Sequence, residues 1–119
     1  MAYTQVIQLL GSFVYQHNGD IKQPALSRKT RAILAYLAIT DFPHSRQSLY
    51  TLFGQESEDP QGTLRWHLSR IRRQLSADIL IVDKETVQFD HHHCHVDAYE
   101  FARILDHQSL DRASLDTLK

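Results

Sequence analysis

Leu64, Leu68, Ile71 and Leu75 recur at i, i+4, i+7 and i+11, which at ~100° per residue gathers them on one narrow side of an α-helix. Such a stripe must be buried, so the rest of the chain has to supply a core for one side of residues 61–75. The other side of this segment, Gln-Gly-Thr-Leu-Arg-Trp-His-Leu-Ser-Arg-Ile-Arg-Arg-Gln-Leu, carries Arg65, Arg70, Arg72 and Arg73 and no carboxylate. The helical wheel sets Gly62, Trp66, Ser69 and Arg73 nearly opposite the stripe. Arg70 falls on one shoulder, Arg65 and Arg72 on the other.

A cationic face of this kind calls for an anion. Trp66 adds an outward apolar ring, which a monomeric domain has little reason to expose unless something covers it. Guanidinium forks match phosphate oxygens and guanine edges, and an indole can touch bases or thymine methyl groups. The competing reading is a solvated basic face with Trp66 tucked against a neighbouring element.

On its total alone, the chain, 119 residues with a formal net charge of −1, is poorly suited to a polyanion. The charge is segregated, however. Positions 76–119 hold nine acids against four bases, whereas 61–75 hold only bases, and a local patch matters more for association than the total. The length and a 42% hydrophobic composition suit one compact unit. No apolar run approaches the ~18 residues of a membrane span. A single cysteine cannot form an internal disulfide, and the N-terminus lacks the pattern of an export signal, so a reducing cytoplasm is expected.

Gln5 to Gln16 mixes β-branched, aromatic and alternating polar residues and leads to Asn18-Gly19, a strong hairpin signal that predicts a small N-terminal antiparallel sheet. Ser27 is expected to cap a helix through Ile33, Leu34, Leu37 and Ala38, ending near Asp41-Phe42-Pro43. Ser45 is expected to cap a shorter helix, 46–53, closed by Gly54 in a left-handed conformation. An acidic loop, 55–62, too polar to pack, precedes the arginine helix. Ile79 to Val82 reads as a buried strand and Val87 to Phe89 as its return across a turn at 83–86. Asp97 is expected to cap a final helix through Leu105. Leu110, Leu115 and Leu118 follow as an unfinished element, expected to be mobile or docked on another copy.

This order of elements predicts an α+β, mainly helical fold: a winged helix-turn-helix with a three-helix core, an N-terminal antiparallel sheet and a C-terminal hairpin wing. The chain also resembles the OmpR/PhoB-type DNA-binding domain, and more closely its version in the antibiotic-regulatory activators called SARPs. The resemblance is carried by Leu9-Leu-Gly-Ser-Phe13, the helix from Arg28 to Ala38, Ser45 through Leu52-Phe53-Gly54, the segment from Thr63 to Leu75, and Val96-Asp-Ala-Tyr-Glu-Phe101. The last resembles the start of the helical bacterial transcriptional activation domain, which divides the chain into 1–95 and 96–119. Two positions depart from the pattern: Phe53-Gly54 replaces a tryptophan-proline pair, and Trp66 stands where relatives carry a smaller or polar residue. Both bear on the target sequence.

The resemblance implies a bacterial transcriptional regulator that binds double-stranded DNA, with 61–75 in the major groove and the 79–89 hairpin on the backbone or minor groove. Residue by residue, Trp66, Ser69, Arg70 and Arg73 are assigned to base reading, with Arg70 or Arg73 the guanine contact. Thr63, Arg65 and Arg72 are assigned to phosphates, as is Lys84 of the wing. Ser45 and Arg46 would add a phosphate contact through backbone amides at a helix N-terminus. Glu56, Glu58 and Asp59 lie where related regulators present a loop to RNA polymerase; a disordered connector is the alternative reading of this loop. Two copies on a direct repeat are expected.

His91-His-His-Cys-His95 invites a metal, through His91, His93, Cys94 and His95, and a metal-responsive regulator is one alternative. Alternation along an extended strand lets at most about three of these point together, so the tract is read as a polar connector and no cofactor is expected. No phosphate-cradling glycine loop, Gly-x-Ser-x-Gly elbow or His-Glu-x-x-His motif is present, which argues against an enzyme. A winged helix that contacts protein rather than DNA is the other alternative.

Overall fold

The computed structural model describes residues 3–109, so the closing leucines, Leu110, Leu115 and Leu118, lie outside the described residues. The architecture is α+β, with four α-helices and two small sheets among these residues. Strands β1 (Gln5–Gln8), β2 (Val14–His17) and β3 (Asp20–Lys22) form an antiparallel meander. Asn18 and Gly19 both adopt positive φ, 53° and 83°, the mirror-image turn whose twist matches the flanking strands.

Helix α1 (Arg28–Ala38) starts at Ser27, whose hydroxyl accepts the Thr30 amide, and ends three residues earlier than the sequence predicts. Strand β4 (His44–Ser45) precedes α2 (Arg46–Phe53), which Ser45 caps by accepting the Ser48 amide. Helix α3 (Pro60–Gln74) is capped by Asp59, which accepts the Gly62 amide. The 3-10 turn Ala77–Ile79 leads into β5 (Leu80–Val82) and β6 (Thr86–Phe89), then β7 (His95–Val96) and α4 (Asp97–Ser109).

Ile33, Leu34 and Leu37 of α1, Leu49 of α2 and Leu64, Leu68 and Ile71 of α3 meet in one core. Leu75 joins it, so the apolar stripe is buried along its whole length. Ile7, Tyr15, Val87, Phe89 and Val96 extend the same core from the two sheets, and Cys94, just before β7, joins it. Burying side chains of this size contributes about 1.5–3 kcal/mol each, and this side of α3 is thereby fixed.

Several expectations are corrected. The first sheet is mixed: its order is β3-β2-β1-β7, and β7 runs parallel to β1 through Val6–His95 and Ile7–Val96 pairs. The second sheet, β4-β6-β5, recruits a strand from before α2. The run 79–82 is not a buried strand. Ile79 lies in the 3-10 turn and Ile81 is 51% exposed, because a three-stranded sheet covered on one side buries only alternate residues. Gly54 closes α2 at φ −109° rather than in a left-handed conformation. Its lack of a side chain serves close approach instead, since a Cβ would lie 2.9 Å from both Pro60 Cβ and the Tyr50 carbonyl.

The boundary expected between residues 95 and 96 falls within β7, a strand of the first sheet. The start of α4 is fastened to that sheet: the Asp97 carboxylate accepts the amides of Leu9 at 2.7 Å, Leu10 and Ala98. The Tyr99 hydroxyl donates to Asp41 at 2.6 Å. The helix continues to Ser109, past the expected end at Leu105.

Candidate nucleic-acid interface

Burial of one side of α3 fixes what the other side presents. Arg65, Trp66, Ser69, Arg72 and Arg73 are exposed, Trp66 to 55%. Its indole rests edge-on against the buried His67 ring, with centroids 5.0 Å apart, so one flank of the ring is supported while its outer face is open. Among the described residues, no hydrogen bond or ion pair to the protein engages Arg65, Arg72 or Arg73.

Between α3 and β5 runs a groove of about 510 Å³. Leu68, Ala77 and Val82 form its apolar floor, and Arg46, Arg65, Ser69, Arg72 and Arg73 stand around it. Four of the eight lining side chains are guanidinium-bearing and none is acidic, an arrangement that attracts a polyanion and gives it apolar surface to lie on.

Four of the sequence-assigned contacts are placed differently. Arg46 does not point freely outward: its Nε and Nη2 donate to the Asp83 carbonyl at 3.0 and 2.8 Å. Its backbone amide donates to Glu85 O, and the Ser45 hydroxyl is occupied by the Ser48 amide. The N-terminus of α2 is therefore closed by the hairpin turn, and the amides of Arg46 and Ser48 are spent within the protein. Arg70 is half-buried and its Nε donates to Ala25 O at 3.1 Å, while Gln74 Oε1 accepts the Ala25 amide. This shoulder of α3 clamps the segment before α1. Thr63 shares a hydrogen bond with Ser57 at 2.7 Å, which folds the acidic loop back onto α3.

Within that loop Glu56, Glu58 and Asp59 are all exposed, and Asp59 also serves as the α3 cap. In the β5–β6 turn, Lys84 is exposed between Asp83 and Glu85. The Asp83 carboxylate accepts the amides of Thr86 and Glu85, bonds that hold its pKa below the ordinary value.

The histidine tract joins β6 to α4 as a turn followed by the short strand β7. His91 Nε2 bonds the Thr40 carbonyl and its ring stacks on Tyr99 at 3.8 Å. Burial lowers its pKa, against the opposing pull of Thr40 O, Asp41, Glu100 and Asp90. His93 Nδ1 pairs with Asp90 at 2.6 Å. Cys94 is fully buried, and burial pushes its thiol up to about 12. Among the described residues, no group of three or more His, Cys, Asp or Glu side chains is gathered as a metal would need. No described helix is long and apolar enough to cross a membrane.

Sequence reasoning missed three tertiary bonds that shape the interface: Arg46 to Asp83, Arg70 to Ala25, and Thr30 to His67. Each joins residues 37 or more positions apart, beyond the reach of any periodicity signal. Comparison with protein families, with curated proteins and with solved structures finds no match.

Proposed function

We propose that this chain binds double-stranded DNA sequence-specifically, as a winged helix-turn-helix of the OmpR/PhoB type in a SARP-like bacterial transcriptional regulator acting in the cytoplasm. The observation that carries the reading is α3. One side is buried and the other offers Trp66, Ser69 and Arg73 in line, with Arg65 and Arg72 beside them and no acid on the helix. An α-helix of these dimensions fits the major groove, where each base pair has its own pattern of donors and acceptors.

In this reading α1, α2 and α3 are the three-helix core and the β5–β6 hairpin is the wing. The ridge Trp66, Ser69 and Arg73 faces base edges. Arg65 and Arg72, a quarter turn away toward β5, meet phosphates, and Lys84 reaches the backbone from the wing. Arg46 acts through the wing, because its guanidinium holds the turn that carries Lys84. Glu56 and Glu58 are the exposed acids left to face RNA polymerase. Two copies head to tail on a direct repeat would supply the affinity that a single domain lacks. Catalysis has no part in this reading.

A winged-helix module for protein contact is favoured by one observation: Phe101, Ile104 and Leu105 of α4 are each about half exposed. Salt separates the two readings. With about four phosphate contacts, affinity for duplex DNA should fall roughly a hundredfold between 50 and 200 mM salt through counterion release. Fluorescence anisotropy on a duplex selected from random sequence measures it. Affinity that is absent, or indifferent to salt, would overturn DNA binding and leave the protein module.

A further inference from the structure

We infer, resting on the DNA-binding reading, that the target half-site carries a thymine under Trp66 and a guanine about three base pairs away under Arg73. The argument starts from how the four arginines of α3 are distributed. Arg70 is half-buried with its Nε on Ala25 O, on the shoulder that grips the segment before α1. Arg65 and Arg72 lie on the opposite shoulder and line the groove with Leu68 and Val82, where a strand's phosphates and sugars would run, and Arg73 and Ser69 border the same groove from the crest side. Only Arg73 stands on the crest opposite the buried stripe, in line with Ser69 and Trp66, and no protein group engages its guanidinium among the described residues. An arginine in that place matches the O6 and N7 acceptors of guanine with two parallel bonds.

Trp66 is the apolar member of the crest. Its ring is held from behind by His67 and 55% exposed in front. The largest apolar group on a base edge in the major groove is the 5-methyl of thymine. An open indole face therefore gains by covering that methyl, whereas on a polar base edge it would remove donors and acceptors from water without replacing their bonds. Trp66 and Arg73 are seven residues apart, which at ~1.5 Å per residue is ~10 Å of helix. At ~3.4 Å per base pair this separates the two contacts by about three base pairs.

The test begins with selection of bound duplexes from random sequence by the intact chain, followed by anisotropy on the selected site with single-atom replacements. Deoxyuridine in place of the thymine removes only the methyl. Binding of the wild type should weaken about 3- to 10-fold, the scale of one buried methyl-sized group, and binding of Trp66→Ala should not change. 7-Deazaguanine removes N7, and should weaken the wild type about 10-fold or more but not Arg73→Ala. Arg70→Ala should select the same sequence as the wild type. A selected site without this thymine and guanine, equal losses in wild type and variant, or a changed preference in Arg70→Ala would overturn the assignment while salt-dependent DNA binding stands. No salt-dependent duplex binding at all would overturn both readings together.

Discussion

Thr30 Oγ1 and His67 Nδ1 lie 2.7 Å apart in the seam where α1 packs on α3, and both residues are buried. The bond ties α1 to α3 beside the buried stripe that orients the helix. Thr30→Val leaves the imidazole nitrogen unpartnered in the core and should cost about 1–3 kcal/mol, read from the urea midpoint. Thr30→Ser, which keeps a hydroxyl, should recover most of that loss. Equal losses in the two variants would mean that the bond contributes little.

Stability should fall as the pH drops below about 6.5. Burial lowers the pKa of His67, with Lys29 adding to it, and burial likewise lowers the pKa values of His44 and His91. Each is therefore neutral in the folded protein where the unfolded chain would already bind a proton. The unfolded state takes up more protons, so stability is fully present above the ordinary histidine pKa and is lost as the pH falls through the interval beneath it. Thermal midpoints between pH 7.5 and 5 should decline. A flat profile across that range would contradict neutral burial.

Cys94 should resist alkylation in the native protein. Its thiol is buried and protonated well above neutral pH, so iodoacetamide at pH 8 should label it at a rate set by unfolding and label it rapidly in denaturant. Fast native labelling would place the thiol at the surface and reopen the tract at 91–95 as a ligand set.

Asp97 ties α4 to the end of β1 through the Leu9 and Leu10 amides. Asp97→Ala should therefore speed hydrogen exchange at those two amides and within the first turn of α4, with little effect on amides of α3. Uniform acceleration throughout the protein would point to global destabilisation instead.

On DNA, Arg65→Ala and Arg72→Ala should weaken selected and random duplexes alike, and each should shallow the log–log salt slope by about one. Linked pairs of half-sites in direct and inverted orientation, compared by gel shift, report on the arrangement of two copies. Tighter binding to the inverted pair would exclude the head-to-tail model.

The sequence by itself determined the elements whose causes are local. The heptad-like stripe of Leu64, Leu68, Ile71 and Leu75 settled which side of α3 is buried. Ser27 and Ser45 marked two helix starts through caps that span three residues, and Asn18-Gly19 marked a turn that only such residues adopt easily. Exposure of Trp66 followed from the same wheel. The tertiary structure alone decided which charged side chains remain available. Arg46 and Arg70 look like Arg65 and Arg73 in sequence, but the first pair spend donors on Asp83 and Ala25. A hydrogen bond to a distant carbonyl depends on where the chain returns in space, and no local pattern encodes that return. Strands β4 and β7 escaped sequence reading for the same reason. Two residues are too few to show an alternating period, and their pairing with β6 and β1 is settled by partners more than 40 positions away.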